Sequence, residues 1–498
     1  MQRKKKLFLN TIMAIVNQVV IFISGFVVPK LIILQYGSAT NGLVSSIAQY
    51  LAMFSMMEMG VGAVVKVALY EPLAKKNYDQ ISRVLISSKR FFRKIGSLLY
   101  LYSIGLVVYF IIGVDHSQGY MATIVLVSAM AFSSIANYLW GITYQQLLNA
   151  DQCSYITLAI DTLTTILNTV LSIILIQFGV PIEWVKLLSA MIILIRPLLL
   201  KLYVDKHYQL NFDLELDREP LTQKWNGLAQ HIAIYITNHA DTVILTIFST
   251  LENVSIYYVY HLVMNGLRQC INILTTGVQA LLGNMHARNE KENLQNTFDV
   301  FEWVMHTFVT FVYSIAFVMI IPFIKVYMAG VSDTDYVNSL FAALLVMATA
   351  MWCLRTPYNI MVLAVGHFKQ TQNSSIIEAL LNISISVVLV KQFGLVGVAI
   401  GTFIAMLYRT CYLVWYLKHN ILYRPLKIAI RHSCLDFLTG FLIIVFTSQI
   451  TLSDISWISW IIMGLQVGLI AIVVVFIINI LFNRHLIIKG LNKIYMKK

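Results

Sequence analysis

Uncharged apolar stretches alternate along the chain with short polar breaks, and most of the stretches run to about twenty residues. At about 1.5 Å of rise per helical residue, that length crosses a hydrocarbon layer about 30 Å thick. Fourteen stretches have this character: 10–34, 42–65, 95–114, 120–148, 156–176, 184–203, 226–248, 254–282, 303–324, 337–365, 375–393, 395–417, 434–450 and 458–481. The pattern predicts an all-α polytopic membrane protein with about 14 transmembrane helices. The longest stretches must tilt, bend or project beyond the hydrocarbon. An even number of crossings places both termini on the same side. No small-residue cleavage site closes the stretch after MQRKKKLF, so 10–34 reads as a retained first span, with the basic residues at 3–6 as its cytoplasmic anchor.

Composition strengthens this picture. The 498 residues are 58% hydrophobic and 12% charged, with a mean hydropathy of +0.75, whereas soluble domains carry roughly 25% charge. With the termini placed inside, 28 lysines and arginines fall in the inner segments and only Lys325 and Lys391 on the opposite side. That bias orients the chain with both termini cytoplasmic. The formal charge of +13 is then mainly topogenic, and no nucleic-acid partner is implied. Segments such as ISRVLISSKRFFRK (81–94) read as basic amphipathic surface beside anionic membrane lipid. The outer loops are too short for a catalytic domain, and no glycine-rich phosphate cradle or HExxH occurs. The reading is of a protein that is not an enzyme, binds no cofactor and moves something through its helices. The cysteines at 153, 270, 353, 411 and 434 have neither disulfide nor metal spacing.

An internal similarity divides the chain. LYEPLAKKNYDQISRV (69–84) and NMHARNEKENLQNTFDV (284–300) are both polar segments leading into a long apolar stretch, and an offset of 215 aligns Lys76 with Lys291 and Gln80 with Gln295. The implied organisation is a six-helix bundle at 1–203, a cytoplasmic linker at 204–225, a second pseudo-symmetric six-helix bundle at 226–417, and two further helices with a basic tail at 418–498. Two repeated bundles are a common basis for alternating access.

Charges at membrane depth are costly and mark protein interiors, water or ligand paths. They are Lys30, Glu58, Asp161, Arg196, Asp241, Arg268, Arg355, Glu378, Arg409 and Asp436. Arg268 lies near the middle of its stretch, where cavity lining and an interior ion pair are both open readings. Arg196 precedes Pro197, Arg355 lies two residues before Pro357, and Arg409 occupies the inner part of its stretch. These arginines either line an inward-opening basic pocket with Arg268 or snorkel toward the inner headgroups. Lys30 follows Pro29 toward the outer end of the first stretch. Glu58, followed by Gly60 and Gly62, and Asp241, in a stretch with His231 and His239, are candidates for sodium or proton coupling or for internal ion pairs. No metal-ligand pattern is present.

The segment TPYNIMVLAVGHFKQTQNSSIIEALLNISISVVLVKQFGLVGVAIGT (356–402) and the turn PKLIILQYGSATNGLVSS (29–46) resemble the polysaccharide flippase family, the Wzx-like exporters of O-antigen and capsule repeat units. That family belongs to the superfamily that also holds lipid II flippases and multidrug and toxin extruders. The resemblance implies two six-helix bundles in a V-shaped arrangement plus two C-terminal helices, in a bacterial cytoplasmic membrane. It further implies an undecaprenyl-pyrophosphate-linked oligosaccharide as cargo, carried by a monomer to the outer leaflet, with a polysaccharide polymerase and chain-length regulator as pathway partners. The basic residues Arg268, Arg196, Arg355, Arg409 and Lys30 would then meet the pyrophosphate. A cation-coupled multidrug exporter is the alternative, and a lipid II flippase a weaker one, because the acidic Glu58 and lone Lys30 depart from the several bases of that branch.

Overall fold

In lipid, a spanning backbone must satisfy its own polar groups, and the described part of this chain does so entirely with helices. The computed structural model describes residues 3–54, 56–113, 119–214, 239–275 and 277–486, with the side chains of residues 3, 4, 56–61 and 63 outside the description. Ten helices among these residues are long and apolar enough to cross a membrane, and His239–Phe248 is a shorter apolar helix. The chain divides into two units, Met1–Ile247 and Phe248–Lys498. The division falls later than the linker anticipated at 204–225, of which 215–225 lie outside the described residues.

The first unit contains α1 (Arg3–Tyr36), α2 (Ser38–Phe54), α3 (Met56–Lys75), α4 (Tyr78–Gly113), α5 (Tyr120–Ala150), α6 (Ser154–Gln177), α7 (Ile182–His207) and α8 (His239–Phe248). Two helices are interrupted where the sequence forces it. Pro197 lacks the amide proton that would continue the ladder, and α7 breaks at Leu194. Facing that break, α5 widens into a π-turn at Asn137–Gly141, where a Cβ on Gly141 would lie 3.3 Å from the Pro197 side chain.

Polar side chains join α1 to α6. Tyr155 N donates to Asn10 Oδ1 at 2.7 Å, Asn17 Nδ2 to Thr162 Oγ1 at 3.1 Å, and Thr169 Oγ1 to Ser24 Oγ at 2.7 Å. Each pair is 145 residues apart. The two helices therefore run parallel and in register, meeting every second turn. Against lipid, which is as apolar as leucine, such hydrogen bonds and close packing hold helices together where the hydrophobic effect cannot. Below the ladder Lys6 Nζ lies 3.2 Å from Asp151 Oδ2, and the Tyr208 hydroxyl donates to the same oxygen at 2.8 Å. Burial and the Asp151 charge push the Tyr208 pKa up, so the phenol remains a donor.

The second unit contains α9 (Leu251–Thr275), α10 (Val278–Ala287), α11 (Lys291–Tyr327), α12 (Ser339–Ala364), α13 (368–393), α14 (395–420), α15 (Lys427–Thr447) and α16 (Trp457–Phe482). Helices α13 and α14 meet at Gly394, whose φ of +52° makes the hairpin. Gly397 and Gly401 let the two backbones close up: a Cβ at Gly397 would stand 2.5 Å from the Leu389 carbonyl oxygen. Asn382 Nδ2 donates to Thr402 Oγ1 at 2.9 Å across the same seam. The C-terminal helices α15 and α16 pack on α11, burying Ile443, Ala471, Val474 and Ile478 against Phe311 and Ile315. The opposite face of α16 exposes Leu465, Leu469 and Phe476, a surface suited to lipid.

The same helix ends recur in both units. After α3, Lys76 adopts φ +52° and the Asn77 amide donates to Pro72 O; after α10, Asn289 adopts φ +57° and the Glu290 amide donates to Met285 O. Gln152 (φ +58°) and Gly366 (φ +78°) close α5 and α12 by the same pattern, through Cys153 to Leu148 and His367 to Val362. These turns pair Lys76 with Asn289, not with the Lys291 that sequence alignment suggested.

Candidate functional site: buried charge in the two units

In the second unit, α12 is interrupted at Arg355, because Pro357 cannot donate back to Cys353. Thr410 of α14 caps the bend by donating to the Met351 carbonyl at 3.3 Å. The bend turns Arg355 toward α13, where its Nη1 donates to Glu378 Oε1. Arg409 of α14 approaches the other carboxylate oxygen at 3.7 Å and donates to the Thr371 carbonyl at 3.0 Å and to Ser374 Oγ. One carboxylate thus serves two guanidiniums. Arg268 of α9 lies face-on over the Trp352 ring, 3.9 Å from its centroid, and Arg355 meets the same ring at 5.8 Å. The ring quadrupole offsets part of the cost of holding guanidiniums out of water. Three arginines, one tryptophan and one glutamate form a cluster with an excess of positive charge.

In the first unit Arg196, beside the α7 break, places Nε 2.6 Å from Asp161 Oδ1 and donates from Nη2 to Gln145 Oε1 at 3.4 Å. This is an internal ion pair, which neither of the readings open for Arg196, pocket lining or snorkelling, had named. Lys30 follows Pro29 within α1 and is half-buried. Asp241, buried at the start of α8, is held near α2, where Gln49 meets His239 and Ser46 Oγ lies 2.8 Å from Thr246 Oγ1. Glu58 belongs to α3, but its side chain is outside the described residues, as is His231.

Sequence reasoning missed Lys186. It lies in α7 and lines a cavity of about 370 Å³ together with Ser133, Ser134, Asn137, Asn168 and Ser189. Placed two residues inside the stretch 184–203, it passed for the edge of a span. Three residues after Glu183 at the stretch's outer end, it gave no separate signal in the sequence.

A second charged group in the second unit binds α11 to α15 and the segment before it. Arg424 forks onto Glu302 at 2.6 and 2.5 Å and reaches Asp299 at 3.2 Å. Asp436 accepts from Thr310 Oγ1 at 2.7 Å and lies 2.5 Å from His306 Nδ1, whose Nε2 meets the Tyr358 hydroxyl at 2.9 Å. Glu302 is fully buried and Arg424 nearly so, and their bidentate pairing satisfies both. The geometry is that of a closed structural lock. Among the described residues no group of three or more His, Cys, Asp or Glu side chains is placed to hold a metal.

Neither a protein-family model nor a curated protein sequence matches the chain. Solved structures do. The lipid II flippase MurJ in an inward closed conformation superposes with a TM-score of 0.71 at 14% identity, over 96% of this chain and 100% of that one. An inward-facing multidrug resistance MATE family transporter of the MOP superfamily gives 0.60 at 14% identity, over 82% and 94%. A MOP superfamily transporter from Pyrococcus furiosus gives 0.54 at 13%, over 85% and 98%. At these identities the likeness is one of fold: the chain has the fold of MOP-superfamily transporters.

Proposed function

We propose that this chain is a non-enzymatic transporter that carries an undecaprenyl-pyrophosphate-linked oligosaccharide repeat unit from the cytoplasmic to the outer leaflet by alternating access, for surface polysaccharide synthesis. The observation that carries this reading is the cluster of Arg268, Arg355 and Arg409 around the single carboxylate of Glu378. Pyrophosphate brings concentrated negative charge into a low-dielectric path, and a guanidinium offers it a planar fork of donors. Arg268, stacked on Trp352, is the residue we assign to the pyrophosphate, while Arg355 and Arg409 hold the cluster's geometry through Glu378. The fold likeness to a lipid II flippase over nearly the whole chain supports a lipid-linked cargo. In this reading the chain crosses a bacterial inner membrane fourteen times with both termini cytoplasmic, as two related six-helix bundles and a C-terminal pair. Lys30 is a further basic contact, and Asp241 and Glu58 are the candidates for coupling to a sodium or proton gradient.

A second reading, a cation-coupled multidrug exporter, is favoured by one observation: Asp161 neutralises Arg196, while the acid Asp241 is buried in α8. Liposomes reconstituted with the purified protein separate the two. Outer-leaflet appearance of the native lipid-linked repeat unit, falling at least about tenfold in abundance-matched Arg268→Ala, a loss of about 1.4 kcal/mol or more, is the expected result. Organic-cation efflux without movement of the lipid-linked sugar would select the exporter reading.

A further inference from the structure

The π-turn of α5 and the break in α7 border the same cavity, of about 330 Å³. Leu139 and Trp140 come from the π-turn, Leu194 and Pro197 from the break, and Lys89 of α4 with Lys201 of α7 supply the charge. π-turns recur at functional sites, where a widened turn makes room that regular helices would fill. Among the described residues no carboxylate lines the cavity. Lys201 forms no hydrogen bond or ion pair with them, and Lys89 has only the face of the Phe212 ring, 5.1 Å away. A ring face offsets part of an ammonium's charge but leaves N–H donors open on both lysines. Lys6 and Arg196 of the same unit, by contrast, each meet an aspartate. Arg93 and Lys201 add like charge around Lys89, against the exposed carboxylate of Asp205. Lys201 lies near the cytoplasmic end of α7, and Lys89 precedes the apolar stretch 95–114, so both stand at the depth of the inner headgroups. Trp140 and Leu198 are exposed at the rim, and Ile195 and Met191 carry the exposed apolar face of α7 on toward the bilayer interior.

We propose that this cavity binds an anionic glycerophospholipid of the inner leaflet, with its phosphate paired to Lys89 and Lys201 and an acyl chain lying along Trp140, Leu198 and Ile195. A free anion would leave the apolar walls against water. A zwitterionic lipid would bring another cation among two lysines and Arg93, whereas an anionic headgroup relieves their mutual repulsion. Phe212 is held in place without help from the ligand: in the segment that leaves α7, the Tyr208 hydroxyl donates to Asp151 Oδ2 at 2.8 Å and the Asn211 amide to Ser82 Oγ at 3.0 Å. The wall is therefore formed before a lipid arrives, which lowers the cost of binding. The occupant is a resident of the membrane and not the cargo, since the site lies in the first unit and uses none of the arginines around Glu378. The choice of leaflet rests on the cytoplasmic placement of the termini; the site itself does not rest on the transport reading.

Native mass spectrometry of the purified full-length protein, delipidated and then titrated with phosphatidylglycerol or phosphatidylcholine, tests the site. Wild type is expected to retain phosphatidylglycerol in preference to phosphatidylcholine. Lys89→Gln and Lys201→Gln should each weaken that retention by about fivefold, the contribution of one cation beside an anionic lipid. Lys206→Gln removes an exposed lysine of α7 outside the cavity and should leave retention unchanged. Equal loss in all three variants, or no preference between the two lipids, would reduce the contact to general surface attraction and overturn the site. A phosphatidylglycerol with a photoreactive acyl chain locates the lipid in wild type without any variant. Its crosslinks, read by peptide mass spectrometry, should fall within 139–144 and 194–198, and their absence there would overturn the site however the variants fold. Excess glycerol 3-phosphate should leave the lipid bound; displacement would mean that the cavity reads a soluble phosphate and would overturn the lipid assignment. Displacement by an equimolar polyprenyl pyrophosphate would hand the cavity to the cargo and overturn the resident-lipid assignment. Liposomes that hold phosphatidylglycerol at this site yet flip no repeat unit would overturn the transport reading alone.

Discussion

Glu378 shows what a single buried carboxylate can be asked to do. It accepts from Arg355 and faces Arg409, with a side chain only 6% exposed. Breaking a buried pair by removing one partner costs about 3–5 kcal/mol, because a charge is left uncompensated. Glu378→Ala strands two guanidiniums, so its thermal midpoint in detergent should fall clearly below that of Arg268→Ala, whose ring contact is softer. Equal midpoints for the two variants would show that Glu378 carries no such load. The sequence put both members of these pairs on the page: Arg196 and Asp161, Arg355, Arg409 and Glu378 all stood out as charges at membrane depth. Which one meets which was illegible, since partners 35 and 23 residues apart are joined only once helices are laid side by side. Lys186 was illegible for another reason: its position near a stretch's end made an exposed anchor the simpler reading, and only the cavity distinguishes the two.

At the scale of elements, glycine determines how closely helices pack. Gly397 and Gly401, one turn apart on α14, are the small-xxx-small pattern that lets two helices touch backbone to backbone. A methyl group at Gly397 would press on the Leu389 carbonyl, a backbone atom that cannot swing aside. Gly397→Ala should therefore destabilise the unit by about 1–3 kcal/mol, seen as a lower thermal midpoint, while Ala at the exposed-side Gly468, where a Cβ meets nothing within 4 Å, should be neutral. A Gly397→Ala protein as stable as wild type would mean the hairpin is looser than described. The apolar period placed six of the fourteen stretches within four residues of a helix at both ends, whereas α4 and α11 begin 17 and 12 residues before the stretches 95–114 and 303–324, because polar residues extend a helix without marking its apolar length. It could not show the interruptions at Leu194, at Arg355 or at the π-turn 137–141, because these depend on what each carbonyl finds when its usual partner is lost. The weak repeat was legible only as similar polar segments; the left-handed turns at Lys76 and Asn289 correct its register, since backbone closure is invisible in residue identity.

For the whole chain, charge distribution is the strongest statement the sequence makes, and it is testable directly. With the termini inside, Lys76 faces the cytoplasm and Ser453, exposed between α15 and α16, faces outward. On intact cells a membrane-impermeant maleimide should modify Ser453→Cys in a cysteine-free background and spare Lys76→Cys until the membrane is opened; the reverse order would invert the topology. The parallel pairing of α1 with α6 agrees with an odd number of crossings between them, as the stretches 42–65, 95–114 and 120–148 supply. That pairing also orders events in time. When α1 leaves the ribosome its Asn10, Asn17 and Ser24 have no counterpart, and about 130 further residues must be synthesised before Thr169 exists. Until then the first helix waits in the bilayer with its polar stripe unanswered, a natural hold for insertion factors and a mark by which a nascent chain cut short before residue 154 is told from one that can close its first unit.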